Sequence, residues 1–253
     1  MTYNVRNDFD PFPNTWKVRK TRIKQLIQQE SPDLIGTQEC SYRLVSDLQS
    51  LLPEYDWIGL GREGGSKNEY VAIFFKKDRF EVIAYDHFWL SDTPDVIGST
   101  TWNHVVPRMA TWVLFRDLKT NKQFYHINTH LDHESAEARE KGADLIVQKT
   151  SEFLEEVPII LTGDFNTGKD SAPYQRLTKD GVFVDTWYFA DKQVNSQLGT
   201  FNNFKDHSGS KTRIDWILVQ GSVSVNQVKI ADDTYDGLFP SDHFPVIADI
   251  NLG

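Results

Sequence analysis

The chain has 253 residues, 36 of them acidic and 27 basic, for a net charge of −9 with histidines neutral. Hydrophobic residues make up 39% and aromatics 13%, which excludes disorder and fibrous repeats and supplies a well-filled core. One cysteine, Cys40, excludes an internal disulfide framework and a cysteine-based metal cage; without an activating neighbour it reads as a small buried hydrophobe. The longest apolar runs, Val71–Phe75 and Val157–Leu161, fall far short of the ~20 residues of a membrane span. No signal peptide is visible, so a cytoplasmic compartment is expected, or a secreted one if a leader has been removed. The acidic balance weighs against a tight, sequence-blind grip on nucleic acid, which calls for a basic surface.

In chain order, a strand is predicted over Tyr3–Val5, followed by a helix over Thr15–Glu30. There Trp16, Ile23, Leu26 and Ile27 share a face, Asn14 is the expected N-cap and Pro32 the stop. Its run of Lys17, Arg19, Lys20, Arg22 and Lys24 reads as a solvated face. Leu34–Gln38 is a strand and Tyr42–Leu52 a second helix. Strands follow over Asp56–Leu60, Tyr70–Phe75, Phe80–Phe88, Ala110–Phe115 and Phe124–His130, and then a third helix over Ala136–Glu156. The remaining strands are Ile159–Thr162, Ile214–Val219, Val223–Ile230 and Phe244–Ile250. Many strands with helices only at intervals predict two packed sheets flanked by helices in a single domain, 1–253, not a regular βαβ repeat. The long irregular stretches, Gly61–Glu69, Ser91–Arg108, Gly168–Tyr174 and Ala190–Lys211, are where substrate selection is expected.

Polar residues recur at the ends of these apolar runs: Asn4, Glu39, His130 with Asp132, Asp164 with Asn166, Asp215, and Asp242 with His243. Oxygen ligands without cysteine favour a hard ion such as Mg²⁺ or Mn²⁺, with Glu39 the strongest candidate, helped by Asn4 and Asp242. Asp215 can orient His243 as a general base, Asp164 an attacking water, and Asn166 a phosphoryl oxygen, while Arg108 suits a phosphate bidentately. Together these describe metal-assisted attack of water on a phosphoester. Alone, Gly-Asp-Phe-Asn equally reads as an Asx turn and Ser-Asp-His as a capped loop. Asp215 inside an apolar strand needs a partner, and His126 reads as structural.

Taken in order, Thr-Tyr-Asn-Val-Arg (2–6), Gly-Thr-Gln-Glu (36–39), Asn-Thr-His-Leu-Asp (128–132), Thr-Gly-Asp-Phe-Asn (162–166), Arg-Ile-Asp-Trp-Ile (213–217) and Pro-Ser-Asp-His-Phe-Pro (240–245) resemble the endonuclease/exonuclease/phosphatase (deoxyribonuclease I-like) superfamily. The resemblance implies a four-layered α/β sandwich, two mixed β-sheets face to face with helices outside, and catalysis at one edge. It implies Mg²⁺ (or Mn²⁺) at Glu39 with Asn4 and Asp242 nearby. Asp164 would handle the water, Asn166 contact the scissile phosphate, and His243 with Asp215 act as base or stabilise the transition state. His130 would donate to a phosphate oxygen or the leaving group, Glu69 would be its acidic partner, and Arg108 would be the family arginine. The family's longer lead-in before its first strand predicts fraying at Asn4. Phe-Trp-Leu-Ser-Asp-Thr-Pro (88–94) is similar to small bacterial-type members.

The leading expectation is a metal-dependent phosphodiesterase, a nuclease or a hydrolase of nucleotides or small phosphodiesters, with single-stranded nucleic acid or a nucleotide among its possible substrates. Trp102, Trp187, Tyr188 and Phe201 beside the long loops either stack on a base or sugar or pack the loops down. The alternatives are a sphingomyelinase-like lipid phosphodiesterase, a phosphomonoesterase, and an inactive binding or scaffold module. A phosphomonoesterase needs extra basic residues around a terminal phosphate; Arg62, Lys67, Lys169, Lys205 and Lys211 are candidates that otherwise read as solvated. No obligate protein partner is inferable.

Overall fold

The computed structural model describes residues 1–253. From the N-terminus the elements are β1 (Thr2–Asn4), α1 (Trp16–Glu30), β2 (Leu34–Gln38), β3 (Cys40–Ser41), α2 (Tyr42–Leu51), β4 (Tyr55–Ile58), β5 (Glu69–Tyr70) and β6 (Ile73–Lys76). The middle of the chain adds β7 (Phe80–Trp89), β8 (Met109–Asp117), β9 (Gln123–His130), α3 (Ala136–Thr150), β10 (Ile159–Asp164) and α4 (Ala172–Thr178). The last third holds β11 (Val184–Asp185), α5 (Thr186–Phe189), β12 (Lys192–Val194), β13 (Asp215–Gln220), β14 (Val223–Ile230) and β15 (Val246–Leu252).

Two large mixed sheets result, in the orders β12-β14-β15-β1-β2-β6-β4 and β11-β13-β10-β9-β8-β7. Phe75, Ile73, Val228 and Val246 of the first meet Phe115, Phe124, Ile160 and Ile217 of the second to form the core between them. Helices α1 and α2 cover the outer face of the first sheet through Trp16, Ile23, Leu26, Leu44 and Leu48. Helices α3 and α4 cover the second through Ala143, Ile146 and Leu177. This is the four-layered α/β sandwich. No helix is long and apolar enough to cross a membrane.

Near one edge the core turns polar and the sheets nearly touch. A Cβ on Gly36 would lie 2.2 Å from Thr162 Oγ1 and 2.5 Å from Asn128 Oδ1, so only glycine fits there. Gln38 Nε2 donates to Asn128 Oδ1 (2.7 Å), and Asn128 Nδ2 donates to the carbonyls of Thr37 (2.8 Å) and Ala72 (3.0 Å). His126 Nε2 and Thr162 Oγ1 are 2.9 Å apart; burial lowers the pKa of this histidine to about 3, as fits a structural residue. Hydrogen bonds across the layers set the sheets in register where a purely apolar contact would let them slide.

Several local expectations are corrected. The N-cap of α1 is Thr15, not Asn14, and its side chain makes no capping bond; the Asn14 carbonyl accepts from Arg19 Nε at 2.8 Å. Arg19 and Arg22 are buried, not solvated. Helix α3 stops at Thr150: the hydroxyls of Thr150 and Ser151 bond back to the carbonyls of Val147 and Gln148, and Phe153 stacks on Tyr125 from the turn beyond. The stretch Tyr70–Phe75 divides, Tyr70 pairing with Cys40 and Ile73 onward with β2 and β4. Helix α4 begins inside the expected Gly168–Tyr174 loop, capped by the Ser171 side chain. β12 forms inside Ala190–Lys211. β1 is not frayed: it pairs with β2 and β15, and Thr2, Tyr3 and Asn4 are fully buried. Cys40 is buried, which raises its thiol pKa to about 12.

Candidate active site

Strand register gathers the site. In the second sheet Asp164, the last residue of β10, stands opposite His130 on parallel β9 and opposite Asp215 on antiparallel β13. Arg108 directly precedes β8, which runs antiparallel to β9, and so reaches the same edge. In the first sheet Asn4 and Glu39 close parallel strands β1 and β2, while Asp242 and His243 lead into β15, antiparallel to β1. Glu39 (φ 62°), Arg6 (φ 59°) and Asn166 (φ 51°) all hold left-handed backbone, strain of the kind that collects at functional sites.

Asn4 joins the two sheets, its Nδ2 donating to Glu39 Oε1 and Asp164 Oδ2, both at 2.9 Å. Its Oδ1 accepts from the backbone N–H of Arg6 at 2.9 Å. In this orientation Asn4 aims carboxylates and offers its oxygen elsewhere. Glu39 Oε2 also accepts from the N–H of Asn7 (3.1 Å). Arg6 lies between three carboxylates: 2.9 Å from Asp10, 3.6 Å from Asp242 and 3.8 Å from Glu39. Burial, with repulsion by Glu39, holds the Asp242 carboxyl above its usual range despite His243 and Arg6.

Asp164 Oδ1 accepts from the N–H of Asn166 (2.9 Å), and Oδ2 lies 3.5 Å from His130 Nε2 and 3.8 Å from His243 Nε2. Burial and the nearby Asp215 raise its pKa to about 7. His243 Nδ1 bonds Asp215 Oδ2 at 2.9 Å. Burial alone would lower the His243 pKa, but Asp215, Asp164 and that hydrogen bond outweigh it and raise it to about 10. Phe201 packs edge-on against the imidazole.

On the other flank His130 is neutral, its pKa driven well down by burial and by Arg108 and Arg62. Asn166 Nδ2 bridges His130 Nε2 and the Leu131 carbonyl, each at 3.0 Å. Glu69 is not the partner of His130; its carboxylate is taken by Arg62 Nη1 at 2.8 Å. Arg62, one of the loop cations offered for a terminal phosphate, is 9% exposed and lines one small cavity with Glu69, Arg108 and His130. Arg108 Nη2 lies 2.9 Å from His133 Nδ1 and its Nε 3.7 Å from Asp132. The Nε atoms of Arg62 and Arg108 have no hydrogen-bond partner. Lys67, Lys169, Lys205 and Lys211 are exposed, and Trp102 and Trp187 pack into the protein, whereas Tyr188 is 58% exposed.

Two groups of donors could hold a metal. Glu39 and Asp242 offer oxygens that share one guanidinium at long range, a hard, partly solvent-open donor set that fits Mg²⁺ or Mn²⁺. Ligand atoms of Asp164, Asp215 and His243 also lie within 4.8 Å of one another, but there the imidazole Nδ1 is already committed to Asp215.

Sequence reasoning missed Arg19. It is fully buried and donates to the carbonyls of Val5, Arg6, Asn7 and Asn14, and at 3.4 Å to Pro240. It thereby ties the segment after Asn4 to the segment before Asp242. Its signal was present in its spacing, three residues from Trp16 and four from Ile23 on the buried face of α1.

A mixed two-sheet sandwich with acids, histidines and arginines at one edge defines the class, a phosphoester hydrolase scaffold. The family model described as "Endonuclease/Exonuclease/phosphatase family" matches residues 1–243, and the chain belongs to that family. Its members are hydrolytic phosphoesterases and depend on divalent metals. Among solved structures, the chain is similar to a mannosyl-6-phosphatase of Bacteroides thetaiotaomicron VPI-5482, with 36% identity, 99% of this chain and 98% of that one covered, and a TM-score of 0.96. It is also similar to an endonuclease/exonuclease/phosphatase of Bacteroides vulgatus, with 37% identity, 100% and 97% covered, and a TM-score of 0.94. A curated relative, an uncharacterized protein of Acanthamoeba polyphaga mimivirus, is 29% identical over 160 residues, which span 60% of this chain and 59% of that protein.

Proposed function

We infer that the chain is a divalent-metal-dependent phosphomonoesterase whose substrate is the phosphate ester of a sugar or similar alcohol. The observation that carries this reading is the pair of buried guanidiniums, Arg62 and Arg108, which line one small cavity together with His130. A terminal phosphate dianion presents more acceptor oxygens and more charge than a diester, and paired arginines match both. The similarity to a mannosyl-6-phosphatase supports a sugar ester. Because the site draws on both sheets, the 253 residues are read as one catalytic domain.

In this reading Glu39 and Asp242 hold Mg²⁺ or Mn²⁺, and Asn4 orients Glu39 and Asp164. When bound, the metal neutralises charge on a phosphoryl oxygen. Asp164 positions the attacking water and takes its proton, since a carboxylate with a pKa of about 7 accepts a proton at neutral pH; as the water oxygen bonds to phosphorus, the ester P–O bond breaks and the leaving alkoxide takes a proton from solvent. His243, kept cationic by Asp215, faces the charge that grows on the phosphoryl group rather than acting as the base. Arg108 and Arg62 face the phosphoryl group from the other flank, with the neutral His130 beside them held by Asn166.

The test compares p-nitrophenyl phosphate, mannose 6-phosphate and bis-p-nitrophenyl phosphate with Mg²⁺, Mn²⁺ or EDTA. Metal-dependent turnover of the monoesters above the diester is expected. Preference for the diester would return the function to a phosphodiesterase. Silence without metal binding at millimolar concentration would favour a scaffold module.

A further inference from the structure

A second concavity, of about 460 Å³, opens beside the catalytic edge. One wall is the segment Thr167–Ser171, which directly follows Asn166; the opposite wall is Lys211–Arg213, which leads into Asp215. The two segments touch at the rim, where a Cβ on Gly168 would lie 2.9 Å from Thr212 Cγ2. The base is α5, with Trp187 buried and Tyr188 exposed. Two of its lining segments are thus joined in the chain to residues of the site, Asn166 and Asp215.

We propose that this cleft is the subsite for the leaving alcohol and that it seats a neutral, polyhydroxylated ring. This rests on the phosphomonoesterase reading and adds the substrate's second half to it. Arg213 is held in place by the Asp185 carboxylate and by the rings of Trp187 and Tyr188, 5.2 and 5.9 Å from its guanidinium. Its side chain is 9% exposed, and its Nη1 is buried within the wall and not presented to the cleft. Of the three cations around the cleft, Arg213 is paired with Asp185 and Lys169 lies 3.5 Å from Asp170, leaving Lys211 without a carboxylate. Such a lining is rich in donors without being strongly positive. It suits ring hydroxyls, which accept hydrogen bonds, better than a second phosphate or a nucleic-acid strand. The exposed Tyr188 supplies the aromatic surface on which the apolar face of a sugar ring rests.

The experiment compares mannose 6-phosphate with ethyl phosphate, whose leaving alcohol has similar basicity but fills no cleft, in the wild type and in Tyr188→Ala and Lys211→Ala. The wild type should show a KM for the sugar ester about tenfold lower. The variants should narrow that gap while leaving kcat on ethyl phosphate unchanged. An equal gap in wild type and variants would overturn the subsite. In a second arm, saturation-transfer NMR of methyl mannoside with the wild type needs no turnover. A signal lost in Tyr188→Ala supports the cleft even if neither ester is hydrolysed, an outcome that would sink the phosphomonoesterase reading alone. No signal in the wild type would overturn the subsite. Tighter binding of a sugar bisphosphate than of the monophosphate would overturn the neutral-ring assignment in favour of a second anion.

Discussion

The two flanks of the site are electrostatic opposites. On one, the carboxylates of Glu39, Asp242 and Asp10 share the single guanidinium of Arg6, and only Asp10 is within hydrogen-bond distance of it. On the other, Arg62 and Arg108 keep nitrogen atoms without acceptors, and the histidine between them is driven neutral. Neither flank is purely of one sign: Arg6 stands among the carboxylates of the first, and Glu69 and Asp132 lie beside the arginines of the second. Asp164 and His243 lie between them, where a phosphoryl group bridging both would be attacked. On the proposed reading, metal and phosphate are bound by separate halves, so each can be broken independently.

The largest effects should come from removing a group between the two halves and the main metal-ligand candidate of the acidic one. Asp164→Asn should cut turnover about a thousandfold or more while leaving metal affinity near that of the wild type. Glu39→Gln should lower turnover by a similar order and weaken Mg²⁺ binding as well. Calorimetric Mg²⁺ titration beside steady-state kinetics checks the pair. Equal metal affinity in both variants would mean that Glu39 does not hold the ion.

Breaking the basic half should cost less and act selectively. Arg108→Met and Arg62→Met should each lower kcat/KM for a monoester by about ten- to a hundredfold, the worth of a charge-assisted hydrogen bond to phosphate. The loss on a diester should be smaller. If both esters suffer equally, the arginines support the fold and not the dianion.

The sequence made the acidic half far more legible than the basic one. Asn4, Glu39, Asp164, Asp215 and Asp242 announce themselves because a carboxylate or amide at the start or end of an apolar strand run has few structural reasons to be there. Strand register then brings them together almost automatically. Arg19, which reads as solvated, and Arg62, which reads equally as a phosphate ligand or a solvated loop residue, are obscure for the opposite reason. Arginine is common on loops and helix faces, and its long side chain hides whether its end reaches inward. Glu69 was assigned to the wrong partner because sequence order cannot show that Arg62, seven residues earlier, folds back onto it. The helix ends and short strands that were missed depend on side-chain caps and on pairing with distant segments, which periodicity does not carry.

Arg19 offers a test of how the acidic half is held. Arg19→Met strands several backbone carbonyls in the interior and should lower stability by about 3 kcal/mol. Arg19→Lys keeps the charge but loses the planar fork. If Arg19 positions the metal-binding segments, folded Arg19→Lys should bind Mg²⁺ more weakly while its KM for substrate changes little. Unfolding curves and metal titration separate the two effects, and a variant that loses stability with unchanged Mg²⁺ affinity would reduce Arg19 to a structural role.

The smallest and most diagnostic change is Asp215→Asn, read through pH. Turnover in the wild type should rise as pH climbs through about 7, where Asp164 ionises, and fall as it climbs through about 10, where His243 loses its proton. Asp215 raises both values, repelling the charge on Asp164 and attracting the charge on His243. Neutralising it should therefore move both limbs toward acid, the alkaline limb further because His243 also loses an ionic hydrogen bond. If His243 were instead the neutral base, its deprotonation would define the acid limb, activity would persist above pH 10, and Asp215→Asn would extend activity to lower pH without creating an alkaline fall. The direction and number of the limbs thus assign the proton between the two residues that stand where the flanks meet.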